Sequence, residues 1–142
     1  MRTIKFRGFN RKNNEWLHGF YLQNRGWHFV CPDEFAVNKS WDDYQVDPET
    51  VGQFTGLLDE NGKEIYEGDI LDSLKGRFVI GWGNEHCGFE VLQPCRGKLL
   101  YLSDLYEDMT ASEDTTEYEP DKSEWEWSII GNIHDNPELI KE

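Results

Sequence analysis

The sequence predicts a mainly β protein of the β-rich α+β class. It calls for an antiparallel meander, then a small SH3-like barrel-type sheet, with one or two short helices near the C-terminus. Three observations carry this expectation. Short apolar runs alternate with polar residues at the period of a half-buried strand. Turn formers separate these runs and are densest over residues 50–71. Helical spacing is confined to residues 99–109, where Leu99, Leu102, Leu105 and Tyr106 recur three and four apart. At 142 residues the chain is sized for a single domain. Residues 1–46 form the meander, and residues 50–142 form the barrel-like part, with an acidic loop at 107–122.

Residues 1–9 read as a strand, with Ile4 and Phe6 on one face and Thr3, Lys5 and Arg7 on the other. Asn10, Arg11, Lys12, Asn13 and Asn14 form a polar turn. A second strand follows over residues 15–22, placing Trp16, His18 and Phe20 on one side and Leu17 and Tyr21 near the other. Gln23, Asn24, Arg25 and Gly26 reverse the chain into residues 27–31, which Pro32 stops because its ring fixes φ and removes a donor. Residues 33–43 mix Phe35, Val37 and Trp41 with turn formers and predict a loop with a short helical turn. Tyr44, Gln45 and Val46 make a short strand closed by Asp47 and Pro48.

The organising stretch is residues 50–71. Asp59, Glu60, Asn61 and Gly62 read as a tight reversal, since Asn and Gly tolerate positive φ and Asp bonds its own backbone two residues on. Glu67, Gly68 and Asp69 form a second reversal leading into a strand at 70–73. Two turns this close leave room for a short hairpin or Ω-like excursion, not for a helix. Lys75 and Gly76 turn the chain again, and residues 77–82 return with Phe78, Ile80 and Trp82 on one face. The chain loosens over Gly81, Trp82, Gly83 and Asn84, and a strand at 88–92 is broken by Pro94. Residues 111–122 are polar and acidic, the composition of a solvated loop. Trp125, Trp127 and Ile129 alternate with Glu124, Glu126 and Ser128 as a half-buried strand, which Gly131 and Asn132 turn. Asn136 as N-cap and Pro137 at the first helical position open a short terminal helix.

Three blocks resemble the YopX family of phage and prophage proteins. They are the segment TVGQFTGLLDENGKEIYEGDIL at 50–71, the segment IIGNIHDNPEL at 129–139, and the opening at residues 2–9. Many members carry an acidic residue near position 10, where this chain has Asn10. The blocks keep their order across almost the whole chain. The resemblance implies a small, mostly β phage or prophage protein, and it brings no catalytic mechanism to carry over. It draws attention to Gln53, Thr55, Asp59, Asn61, Gly62, Tyr66, Glu67, Gly68, Asp69 and Asn132 as a functional or structural motif.

Acidic residues outnumber basic ones 28 to 14, for a formal charge of −14. Such a surface repels phosphates and anionic lipid, so neither direct nucleic-acid binding nor membrane binding is expected. Basic proteins of the host or phage are the partners it favours. There is no signal-peptide h-region, and no apolar run approaches the roughly 20 residues that span a bilayer. Cys31, Cys87 and Cys95 are an odd set without a CxxC pair. That suits the reducing cytoplasm of a bacterial host.

Candidate chemistry is sparse. Asp59, Asn61 and Gly62 resemble the start of a calcium loop, but Lys63 stands where a third oxygen ligand belongs and Ile70 at the closing position. A structural turn explains them better. Glu64, Glu67 and Asp69 form a carboxylate cluster of the kind that holds a metal or does acid–base work, against the plainer reading of capping and solvated carboxylates. His28, Cys31, His86, Cys87 and Cys95 lack the paired spacing of zinc sites. His18 falls on an apolar strand face and His134 beside the terminal helix cap. No P-loop, GxGxxG or GxSxG pattern occurs. No catalytic, cofactor or metal residue is assigned.

Trp16, Trp27, Trp82, Trp125 and Trp127 are core and interface residues first, and six Trp exceed what one thin sheet hides. An exposed aromatic patch is most simply covered by another copy of the chain, so a homo-oligomer is expected. Three functions stand open. The first is a non-enzymatic protein-binding or self-assembling module. The second is an acidic DNA mimic that inhibits a host nucleic-acid-binding protein. The third is a metal-dependent hydrolase using Glu64, Glu67 and Asp69.

Overall fold

The computed structural model describes residues 2–34, 36–74, 76–85, 87–93, 98–101 and 127–140. The fold is mainly β, as the alternating runs require, and every described helical segment is a short 3₁₀ turn. The chain divides into two compact units, Met1–Leu57 and Leu58–Glu142.

The first unit holds β1 (Phe6–Asn10), β2 (Glu15–Asn24), β3 (Trp27–Cys31) and β4 (Gly52–Leu58), in the antiparallel order β3-β2-β1-β4. The register sets Phe6 opposite Gly19, Phe9 opposite Trp16, and Phe20 opposite Cys31. Arg25 and Gly26 sit at φ of 51° and 81°, the paired positive values of a two-residue hairpin turn that follows the strand twist. Residues 36–40 form a loop that leads into the 3₁₀ turn Trp41–Asp43, where Ser40 N donates to Asp43 Oδ2 at 3.0 Å. Residues 44–46 attach to the free edge of β3, with Val30 N donating to Tyr44 O at 3.0 Å and Val46 N to His28 O at 2.9 Å. Val30, Cys31, Tyr44, Val46 and Phe54 are its buried apolar residues.

Two expectations for this unit are corrected. The first strand begins at Phe6, leaving Ile4 68% exposed, and it takes in Asn10. Asn10 belongs to the interior because its carboxamide replaces backbone partners. Nδ2 donates to Asp42 O at 3.0 Å and to Gln45 O at 2.8 Å, while Oδ1 accepts from Asn13 N at 2.7 Å. A buried polar group satisfied three ways costs little to bury. Arg7 is also buried and not on a solvent face, its guanidinium 5.0 Å from the Trp16 ring centre, where the charge meets the ring's negative face. Gly8 and Gly19 are dictated by contact. A Cβ at Gly8 would lie 2.8 Å from Val46, and at Gly19 1.9 Å from Cys31 O.

The second unit holds β5 (Glu64–Tyr66), β6 (Asp69–Ser73), β7 (Gly76–Gly83), β8 (Gly88–Gln93), β9 (Lys98–Tyr101) and β10 (Ser128–Asn132). The barrel-type sheet expected here has, among the described residues, the linear order β10-β6-β7-β8-β9. Ile65, Leu71, Phe78, Ile80 and Val91 form the core cluster, with Phe89, Trp127 and Ile129 packed against it. Trp127 stacks on Phe78, ring centres 5.6 Å apart.

Here too the structure corrects the sequence reading. Residues 98–101 begin no helix. They pair with β8, Leu100 opposite Val91 and Leu99 opposite Leu92, because a sheet edge satisfies their backbone groups directly. The rest of that expected helix, the acidic loop and Trp125 lie outside the described residues. Gly131 and Asn132 do not turn the strand. They continue β10 through a bulge after Ile129, and the turn comes at 133–135. The terminal helix is a 3₁₀ turn, Pro137–Ile140, with Leu139 N donating to Asn136 O at 3.1 Å.

Candidate functional site

Asp59 ties the first reversal together. Its backbone closes the turn in both senses: Asp59 N donates to Lys63 O at 2.8 Å, and Gly62 N donates to Asp59 O at 3.0 Å, with Gly62 at φ 79°. The side chain then takes three further N–H groups. Oδ1 accepts from Asn61 N at 2.9 Å and Lys63 N at 2.8 Å, and Oδ2 accepts from Ile129 N at 3.1 Å. Glu60 N adds a bond to Trp127 O at 3.0 Å. Burial of Asp59 would raise its carboxyl pKa. The N–H groups of Lys63, Ile129 and Asn61, with the Lys63 charge, outweigh burial and leave it below the ordinary value.

The second reversal repeats the device. Asp69, 1% exposed, accepts from Tyr66 N at 2.8 Å through Oδ2 across Gly68, which sits at φ 87°. Tyr66 Oη donates to Glu64 Oε2 at 2.7 Å. Gly68 N donates to Ile80 O at 2.7 Å, and Gly68 O accepts from Ile133 N at 2.9 Å. Beyond β10, Asn132 Oδ1 accepts from His134 N at 3.0 Å and Asp135 N at 2.9 Å. Asn132 O accepts from Asn136 N at 2.9 Å, and Asn132 N donates to Asn136 Oδ1 at 3.3 Å. Gly131 leaves room for that carboxamide, since a Cβ there would lie 2.4 Å from Asn136 Oδ1 and displace it.

Asp59, Asn61, Gly62, Tyr66, Gly68, Asp69 and Asn132 therefore belong to one system of turns, in which residues 59–69 are bonded to residues 127–133. Glu67 lies half-buried in the second reversal. Gln53 and Thr55 are elsewhere, on β4, Gln53 opposite Phe6 and Thr55 Oγ1 accepting from Leu57 N at 3.1 Å. Both Asp59 oxygens face backbone N–H groups, which is turn chemistry and not a cation loop. Glu64 and Asp69 both accept from Tyr66. Among the described residues no group of three or more His, Cys, Asp or Glu is placed to hold a metal ion. Burial pushes the Cys31 thiol up, which suits an inert core thiol, while Cys87 is exposed.

The first unit carries a different feature. The β2–β3 register places Phe20 and Leu22 on one sheet face with Trp27 and Phe29, and Trp41 packs edge-on against Phe29 with ring centres 5.5 Å apart. Neighbours two apart on a strand and diagonal across a pair lie within reach of one another, so these side chains share one apolar face. Its members stay exposed: Phe20 45%, Leu22 37%, Trp27 57% and Trp41 57%. The opposite face is closed by Phe6 on Tyr21 and Tyr21 stacked on His28, to which its hydroxyl is hydrogen-bonded. Burial raises the Tyr21 hydroxyl pKa. Charge divides with the units. Residues 1–57 hold seven Lys and Arg against seven Asp and Glu, while residues 58–142 hold seven against 21.

A model of the family described as YopX protein matches residues 5–141. The chain belongs to the YopX family. The match covers both turn systems and the aromatic face, so this YopX chain carries them within the family's own span. Among curated proteins none matches it. The crystal structure of protein EF1440 from Enterococcus faecalis is similar, with a TM-score of 0.52 and 22% identity, covering 99% of this YopX chain and 100% of that one. At that identity the likeness is one of fold. Among the described residues no helix is long and apolar enough to cross a membrane.

Proposed function

We propose that this YopX-family chain is a non-enzymatic contact module of a phage or prophage, acting in the bacterial cytoplasm and assembling with a second copy of itself through the β2–β3 face. The reading rests on one observation: Phe20, Leu22, Trp27 and Trp41 stand exposed together on one face. Exposed aromatic surface of this kind marks protein contact, because burying it is favourable and Trp gives large area at small entropic cost. Charge supports a second copy as the occupant. A basic partner would be drawn to the strongly acidic residues 58–142, whereas residues 1–57 are neutral overall and two such units do not repel each other. Native mass measurement across dilution tests this. The expected result is a dimer or larger species that becomes a 16.7 kDa monomer in a Trp27→Lys/Trp41→Lys variant. A monomer at every concentration refutes it.

The charge division also favours a second reading, an acidic DNA mimic that occupies the basic groove of a host protein. Carboxylates along residues 104–126 would stand in for phosphates. Reversing those charges while host-protein capture persists removes this reading.

A further inference from the structure

We propose that Asn61–Gly62 is a deamidation site whose reaction is held off by the Asp59 turn, so that the rate of conversion at Asn61 reports the fraction of time that turn is open. The dipeptide is the one Asn-Gly pair in the chain. Glycine offers no Cβ to shield its amide nitrogen, and Asn61 is exposed to water. In the reaction the Gly62 nitrogen loses its proton and attacks Cγ of Asn61. A C–N bond forms, the bond from Cγ to the side-chain nitrogen breaks, and ammonia leaves. Water then opens the five-membered imide at either carbonyl, giving an aspartyl or isoaspartyl residue.

The native turn blocks the first step. Gly62 N–H is committed to Asp59 O at 3.0 Å, and the flanking N–H groups of Asn61 and Lys63 are both held by Asp59 Oδ1, at 2.9 and 2.8 Å. Three successive backbone donors are thus pinned by one residue, and the nitrogen cannot swing toward Cγ without releasing them. Opening the turn exposes the nucleophile. The isoaspartyl product keeps it open, since its link adds a backbone atom to the loop that seats Asp59 on Ile129.

The test is peptide mapping of the full chain incubated at mildly alkaline pH, beside a peptide carrying residues 57–66. The peptide is expected to convert readily and the folded chain at least about tenfold more slowly, the scale set by breaking charge-assisted bonds before reaction. Asp59→Ala, which removes the acceptor of the Asn61, Lys63 and Ile129 N–H groups together, is expected to lose most of that protection. Should that variant fail to fold, wild type in urea below its global transition gives a second measurement. There, conversion should rise together with exchange of the Ile129 amide. Equal rates in peptide and folded chain overturn the proposal, as do an unchanged rate in folded Asp59→Ala or a rate indifferent to sub-global urea.

Discussion

Replacing Asp59 by Ala removes the acceptor of three backbone N–H groups at once. The cost divides unequally. Asn61 and Lys63 are exposed, so water replaces the carboxylate at their amides for a few tenths of a kcal/mol each. Ile129 N lies half-buried in β10 beside the core cluster, and leaving a donor there unpaired costs about 1–3 kcal/mol. A total of about 1.5–4 kcal/mol follows, which moves a urea midpoint by about 1 M. Acid sharpens the test. The Asp59 pKa is lowered in the fold, so its stabilisation is complete above the unfolded carboxylate value of about 3.9 and drains away as pH falls through the folded value. The gap between wild type and Asp59→Ala should therefore be constant near neutrality and close in acid. Urea unfolding at a series of pH values, with Ile129 amide exchange as the local probe, measures both. A neutral-pH loss under about 0.5 kcal/mol, or a gap that widens in acid, refutes the reasoning.

Other expectations follow from contacts. Asn10→Ala leaves the Asn13 N–H and the Asp42 and Gln45 carbonyls without their side-chain partner and should cost about 1–3 kcal/mol by urea unfolding. Leu71→Ala empties a fully buried core position and should cost about 2–5 kcal/mol, read the same way. Gly19→Ala sets a methyl against the Cys31 carbonyl, which backbone cannot yield cheaply. A loss of at least about 2 kcal/mol is expected, with Gly26→Ala, which meets nothing, costing less.

Most of the strands were legible because their pattern is local: β2, β3, β7 and β8 lie between recognisable turns, and β2 and β7 alternate at period two. The two reversals were legible for the same reason, since Asp, Asn and Gly act on their own neighbours. What failed was long-range. Asn10 reads as a turn residue until residues 42–45 supply its acceptors, and Arg7 reads as solvent-facing until Trp16 covers it. Leu99 and Leu102 fit a helical face, but β8 offered residues 98–101 an edge, a choice invisible from spacing. The bond from Asp59 to Ile129 joins residues 70 apart, so sequence marked the turn without naming its partner. Exposure was hidden as well: an alternating Trp looks the same whether its face is inside or out, and only the register set Trp27 beside Leu22 and Phe29.

The Asn10 carboxamide also decides where this protein tolerates new sequence. It fastens the β1–β2 connection to Asp42 and Gln45, so a peptide spliced between those two residues would pull on a strand far from the graft. Val37, wholly exposed, stands upstream of that fastening in the same loop. A tag or fluorophore-bearing insert after Val37 would ride on the loop and leave β1 undisturbed, giving a handle for attaching the chain to a surface or a label.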